Sequence, residues 1–257
     1  MPLERRGTSM KVCISGDWHL GLVLSGYDYH DDIVDAAKVV VDTANRSDFF
    51  VHLGDVYHDS RPTSRSIAAS IELIGALKVP SVILAGNHDE GRGSVTTWEE
   101  NRQCLLPSPD ALEPLRTFNW DNTRLYFPKV PHFETIDGKL FLFVPYLRDA
   151  VTQEEGTGSA QETVRHYFQK ATEARNLSAV FCHLDCIGAS LGSEGAVLKG
   201  GRLEIPLDIA KSLPCPVFNG HIHKQQKIAP NLYLPGSLMP TDFGDIDGTK
   251  GFIVAEL

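Results

Sequence analysis

Several features are missing from this chain of 257 residues, and each absence narrows its function. Cysteine is scarce: Cys13, Cys104, Cys182, Cys186 and Cys215 are scattered, with no CxxC pair. An odd, dispersed set argues against a disulfide framework and a zinc ribbon, and it agrees with a reducing, cytoplasmic location. Cys182 and Cys186 flank His183 and Asp185, a grouping that invites a zinc reading, but buried thiols on or after a strand account for it better. No stretch approaches the roughly 20 apolar residues that cross a bilayer, and Met1 to Thr8 carries no apolar signal core. Basic charge is in deficit, with 24 Lys and Arg against 33 Asp and Glu, a net charge of −9. That balance argues against holding nucleic acid by bulk electrostatics, although bound cations and a local basic rim can invert the field at a site. No P-loop, Ser-His-Asp set or cysteine nucleophile is apparent, nor any internal repeat.

What is present is an ordinary globular composition, 42% hydrophobic and 22% charged, enough for a sizeable core. Short runs rich in Val, Ile and Phe read as buried strands: Lys11 to Ser15, Phe49 to Leu53, Ser81 to Leu84, Ala179 to His183 and Pro216 to Asn219. Between the first three lie segments of helical period. Ile33, Ala37, Val40, Val41 and Ala44 share one face, as do Ile67, Ile71 and Ile74, with Asp31 or Asp32 and Ser64 as N-caps. Such alternation predicts parallel pairing. The middle reads differently, with shorter strands at Leu125 to Phe127, Phe133 to Ile136 and Lys139 to Val144, and a hairpin turn at Asp137-Gly138. A helix from about Ala160 to Ala174 follows, then strands at Gln226 to Ala229, Leu232 to Leu234 and Gly251 to Glu256. Gln153 to Ser159 and Gly188 to Gly201 read as loops. The expected architecture is α/β: one domain over residues 1–257, a two-sheet β-sandwich flanked by helices.

The informative pattern is where Asp, Asn and His fall. Five apolar strands each end in a cluster of metal-ligand type: Asp17 and His19, then Asp55, then Asn87-His88-Asp89, then His183, then His221 and His223. In open α/β sheets ligands collect at the carboxyl edge of the strands, so one edge would gather all five; adjacent glycines permit the turns that aim them. One such cluster is weak evidence, since a lone His or Asp is more often solvated. Five in succession are not an accident of composition. Asp17, His19, Asp55, Asn87, His183, His221 and His223 are too many donors for one tetrahedral zinc site. The mixture of carboxylate, imidazole and amide suits manganese, iron, zinc or cobalt. Two divalent ions bridged by Asp55 would polarise phosphoryl oxygens and activate water to hydroxide.

The motifs Asp17-Trp18-His19, Gly54-Asp55, Gly86-Asn87-His88-Asp89, His183 and Gly220-His221-Ile222-His223 together resemble the signature of calcineurin-like metallophosphoesterases, spread over most of the chain. The resemblance implies one metal held by Asp17, His19, Asp55 and His223, and a second held by Asp55, Asn87, His183 and His221. It implies that His88 contacts the phosphate and protonates the leaving oxygen, with Asp89 available to orient it. Three further segments resemble the SbcD-type nuclease branch: Asp17-Trp18-His19-Leu20-Gly21, Gly54 to Pro62, and Leu234-Pro235-Gly236-Ser237 with Asp242-Phe243-Gly244 and Lys250-Gly251-Phe252. That similarity implies manganese-dependent exonuclease and endonuclease activity on DNA in recombination and repair, with His58 as an extra phosphate-facing residue. It also implies a coiled-coil ATPase partner of the SbcC type and a homodimer. The capping domain and C-terminal ATPase-binding segment usual in that branch are not apparent. Arg61, Arg65, Arg92, Lys224 and Lys227 are the candidate DNA contacts. The same metal core would also serve a phosphatase or phosphodiesterase acting on nucleotides, phosphoproteins or other small esters. A non-catalytic scaffold would be expected to have lost ligands, and none is lost here.

Overall fold

The structure is a computed structural model that describes residues 9–91, 94–99, 102–107, 110–122, 124–148, 158–191, 198–242, 245 and 249–257. Strand β1 (Lys11–Ser15) leads through a small hairpin, β2 (Val23–Leu24) and β3 (Tyr27–Asp28), to helix α1 (His30–Ala44) and then β4 (Phe49–His52). Helix α2 (Ser64–Gly75) and β5 (Ser81–Ile83) follow, then a hairpin of β6 (Ser94–Glu99) and β7 (Arg102–Pro107), helix α3 (Glu113–Thr117) and β8 (Leu125–Tyr126). Next come β9 (His132–Ile136), β10 (Lys139–Val144), α4 (Ala160–Glu173) and β11 (Leu177–Cys182). The chain closes with α5 (Leu207–Ala210), β12 (Val217–Asn219), β13 (Gln226–Ala229), β14 (Leu232–Leu234) and β15 (Ile253–Glu256).

Two mixed sheets carry the fold. One has the order β15-β1-β4-β5-β8 and the other β13-β14-β12-β11-β10-β9. β1, β4, β5 and β8 run parallel, with β15 antiparallel at the edge. β10, β11, β12 and β14 are likewise parallel, bordered by antiparallel β9 and β13. The sheets face each other across an aromatic layer in which Phe49 of the first stacks on Phe141 of the second at 5.4 Å and meets Phe143 and Phe181 edge-on. Offset and edge-to-face rings let large apolar groups fill a thin interlayer without voids. The outer face of the first sheet is covered by α1 and α2, and that of the second by α4. The fold is therefore the two-sheet sandwich flanked by helices that the strand pattern implied.

Local signals explain most element ends. The α1 stripe Ile33, Ala37, Val40, Val41 and Ala44 is buried as its period requires. Asp31 and Asp32 do not cap it; they sit inside its first turn, where negative charge favours the helix dipole. Asp28 takes the capping role by accepting from the His30 N–H at 2.9 Å. Helix α2 is capped by Thr63 rather than Ser64, through the Ser66 N–H. Ser159 and Glu162 close a reciprocal capping box on α4. Asp137 (φ 48°) and Gly138 (φ 83°) form the β9–β10 turn in the left-handed region that a two-residue hairpin demands. Of the two expected loops, 153–157 and 192–197 lie outside the described residues, as do Arg92, Phe243 and Gly244.

Candidate metal centre

Every predicted ligand follows a parallel strand, and parallel strands of both sheets deliver them to one edge. Asp17 and His19 leave β1; Asp55 leaves β4; Asn87 and His88 leave β5; His183 follows β11; His221 and His223 follow β12. The first two loops are zipped together by backbone bonds from Asp17 N–H to the Gly54 carbonyl (2.8 Å) and from His19 N–H to the Asp55 carbonyl (3.1 Å). Two glycines make the convergence possible. A Cβ on Gly54, which holds φ at 110°, would lie 2.5 Å from the His183 Nδ1. One on Gly86 would lie 2.1 Å from the Asp55 carboxylate. Only hydrogen fits at either place.

The backbone is strained where the donors sit. Of six non-glycine residues with positive φ among those described, four are expected ligands: Asp17 (51°), His19 (52°), Asp55 (55°) and His221 (74°). Left-handed geometry costs an ordinary residue about 1–2 kcal/mol, and such cost concentrates where function requires an aim that relaxed backbone cannot give.

All seven donors come together. Ligand atoms of Asp17, His19, Asp55 and His223 lie within 4.8 Å of one another, as do those of Asp55, His183 and His221. Asn87 joins the second group, its Oδ1 3.0 Å from His183 Nε2 and 2.7 Å from His221 Nδ1. Asp55 belongs to both.

The outward hydrogen bonds fix which ring nitrogen faces in. A carbonyl can only accept, so His183 donates from Nδ1 to the Leu53 carbonyl (2.8 Å) and points its Nε2 inward. His221 Nε2 meets the Asp185 carboxylate at 2.8 Å, which leaves Nδ1 facing Asn87. His223 Nδ1 is bonded to Thr241 Oγ1, leaving Nε2 inward, 3.0 Å from His19 Nε2. Oriented imidazoles of this kind are what metal sites require.

The carboxylates complete the test of fit. Asp55 is fully buried and its Oδ1 accepts from the His88 N–H at 2.8 Å; Oδ2 has no hydrogen-bond partner. Asp17, also buried, accepts from the His221 N–H through Oδ1 at 3.0 Å, and its Oδ2 is likewise unpartnered. Buried carboxylate oxygens without donors are costly, and a divalent cation among these lone pairs would satisfy both. Burial pushes the Asp17 carboxyl up to about 8, with the nearby Asp55 charge adding to the rise. Burial also pushes Asp55 up, but the charge of His183 and its hydrogen bond outweigh it and hold the carboxyl low. The same pairing raises His183 to about 9 against its own burial, so a cation at its Nε2 would displace a proton. Burial lowers His19 and His223, the latter to about 3, so both stay neutral and able to ligate near pH 7.

His88 and His58 stand beside this cluster. His88 donates from Nδ1 to the His58 carbonyl at 2.6 Å, its ring stacks on His58 at 5.5 Å, and it meets the His19 ring edge-to-face with centroids 4.8 Å apart. Burial draws His58 down. Asp89 corrects an expectation: it does not orient His88. Its carboxylate accepts from the backbone N–H groups of Gly86 (2.9 Å), Tyr57 (3.0 Å) and Val56 (3.2 Å), tying the Asp55 and Asn87 loops together.

The expected basic residues differ in their surroundings. Arg65 is neutralised by Asp28 and Asp31 at 2.8 and 2.7 Å, and Lys227 lies over the Tyr233 ring. Lys224 reaches Ser190, and Arg61 is exposed. Instead Arg148 and Arg202 line a cavity of about 1120 Å³ that opens beside Asn87 and His221. The motif near the chain's end serves the site from behind. Lys250 donates to the His223 carbonyl and to Ser237 Oγ, both at 3.0 Å, and pairs with buried Asp245. Asp185, Thr241 and Asp245 escaped the sequence reading as participants. For Asp185 the signal was its place two residues after His183; the other two act through contacts that no local pattern encodes.

Comparison with known proteins agrees with this geometry. The sequence profile of the calcineurin-like phosphoesterases matches residues 10–225. The chain belongs to that family of hydrolases. It is 22% identical over 266 residues to the SbcD component of the nuclease SbcCD from Staphylococcus epidermidis, an alignment that takes in 96% of this chain and 66% of that protein. The chain thus spans just under two thirds of that relative. The crystal structure of TT1561 from Thermus thermophilus shares the fold, with a TM-score of 0.53 and 12% identity over 89% of this chain and 90% of that one. Among the described residues no helix is long and apolar enough to cross a membrane.

Proposed function

We propose that this protein is a metal-dependent DNA nuclease that hydrolyses phosphodiester bonds, with two divalent ions, manganese first among them, as cofactors. The observation that carries the reading is the inward convergence of seven donors, three of whose imidazoles (His183, His221 and His223) are held by bonds on the outward ring nitrogen, with Asp17 Oδ2 and Asp55 Oδ2 left unpartnered. Asp17, His19, Asp55 and His223 would hold one ion, and Asp55, Asn87, His183 and His221 the other. Bound there, the ions would supply Lewis acidity toward phosphoryl oxygens and a water acidic enough to ionise near neutral pH. His88 would protonate the leaving oxygen: its Nδ1 proton is committed to the His58 carbonyl, so Nε2 is the atom that carries and gives up a proton. His58 backs that ring. Asp89 keeps the loops in register.

DNA as the substrate is supported by the three SbcD-type segments and by the nuclease relative. The same similarity supports a coiled-coil ATPase partner, a homodimer and a cytoplasmic setting. The single-domain reading is supported by the shared aromatic layer between the sheets. The neutralised Arg65 and the acidic balance favour a second reading, a phosphodiesterase for small esters. Purified protein with manganese, offered linear DNA, bis(p-nitrophenyl) phosphate, p-nitrophenyl phosphate and cyclic nucleotides, separates the two. Turnover of DNA well above the small esters, stopped by EDTA, is expected. Activity that persists in EDTA would refute the metal claim, and preference for a small ester would replace the substrate.

A further inference from the structure

The cavity is lined by the expected ligands Asn87 and His221 and, beyond them, by Tyr146, Arg148 and Arg202, none of which is among the seven donors. At about 1120 Å³ it is at or above the range of roughly 300–1,000 Å³ for small-molecule pockets, more than a lone phosphate monoester fills. Arg148 is engaged by Glu90 and the Gly91 carbonyl, so its charge is largely spent. Arg202 is different: its guanidinium has no hydrogen bond or ion pair among the described residues. Its backbone is nonetheless fixed. The Asp185 carboxylate accepts the Arg202 and Leu203 N–H groups at 2.8 and 3.1 Å while its other oxygen holds His221. Gly201 allows this approach, since a Cβ there would fall 2.1 Å from the same carboxyl group. One side chain therefore sets both a metal ligand and the cation beside it. Tyr146 is half-buried, its backbone N–H bonded to the Ala85 carbonyl at 2.9 Å and its ring 6.4 Å from that of His183.

We propose, building on the nuclease reading, that this cavity seats the nucleotide next to the scissile phosphate, Arg202 meeting that nucleotide's own phosphate and Tyr146 stacking on its base. A stacked base and a phosphate contact together discriminate an oligonucleotide from a diester that has neither. The test compares a dye-labelled thymidylate hexamer with bis(p-nitrophenyl) phosphate, using manganese-loaded full-length protein. In Arg202→Ala and in Tyr146→Ala the ratio of kcat/KM for hexamer to that for the small diester falls about tenfold. Arg202→Lys and Tyr146→Phe keep most of the ratio, and Arg124→Ala, at the opposite end of the strands, keeps all of it. The dependence of log KM on log salt loses about 0.7 of its slope in Arg202→Ala, as one phosphate contact to a single strand requires. Wild-type protein that cleaves the small diester and leaves the hexamer intact overturns the nuclease reading and this inference with it. Hexamer cleavage with ratio and salt slope unchanged in folded Arg202→Ala and Tyr146→Ala overturns the inference alone.

Discussion

Replacing Asp185 by Asn isolates the bond that aims His221. The carboxylate has two oxygens, one on His221 Nε2 at 2.8 Å and one shared by the Arg202 and Leu203 N–H groups. Asparagine has a single acceptor oxygen and an NH₂ of nearly the same size. If the amide oxygen faces the backbone, its NH₂ opposes the His221 N–H; if it faces His221, two backbone donors meet an NH₂. One set is always lost. Partners that orient a ligating imidazole typically contribute 10–100-fold in metal affinity, so manganese titration of Asp185→Asn should show one of two sites weakened by about that factor. Hydrogen bonds to a charged group contribute about 1.5–3 kcal/mol, and urea unfolding should register a loss on that order. The Asp185 carboxyl is opposed by its burial but is held below its ordinary value by His221 and the two N–H groups. A lowered folded pKa contributes stability above the unfolded carboxylate range, near pH 4, and that contribution is lost as pH falls through the lowered value. The difference between wild type and variant should therefore be full at neutral pH and shrink in acid. Two unchanged manganese sites with unchanged stability would refute the reasoning.

Three other substitutions probe the remaining parts. His88→Ala should bind both ions, since His88 is outside the seven donors, yet lose turnover by about 10²–10⁴-fold; full turnover would remove it from proton transfer. Thr241→Val deletes the acceptor for His223 Nδ1, and calorimetry should show about tenfold weaker binding at the site shared with Asp17. Gly86→Ala puts a methyl 2.1 Å from the Asp55 carboxyl oxygen, so metal stoichiometry should fall even if the fold survives, and a variant that binds two ions normally would contradict the packing argument.

The strand ends and the seven donors were legible because the signals are local. A buried apolar run that stops at Gly-Asp or Gly-Asn-His marks both the strand and its carboxyl edge, and the α1 stripe declares its own buried face. The β9–β10 turn was legible for the same reason. The β6–β7 hairpin was not, since Glu100-Asn101 lacks the turn chemistry that marks Asp137-Gly138. Asp89 misled because its neighbour in sequence is His88, while two of its three partners, Val56 and Tyr57, are more than thirty residues away. The surroundings of the basic residues were hidden for the same reason: nothing near Arg65 in sequence announces Asp28, and nothing near Arg202 announces the cavity. Acceptors supplied across loops are set by tertiary closure, which periodicity does not record.

The left-handed residues at the metal edge carry a consequence for engineering. At positions 17, 19, 55 and 221, glycine would relax a torsion that Asp and His hold at a penalty of about 1–2 kcal/mol. Each such exchange also deletes a donor. A library selected only for heat tolerance would accordingly drift toward sturdier, inert descendants, with its gains gathered at the positions assigned to the cations.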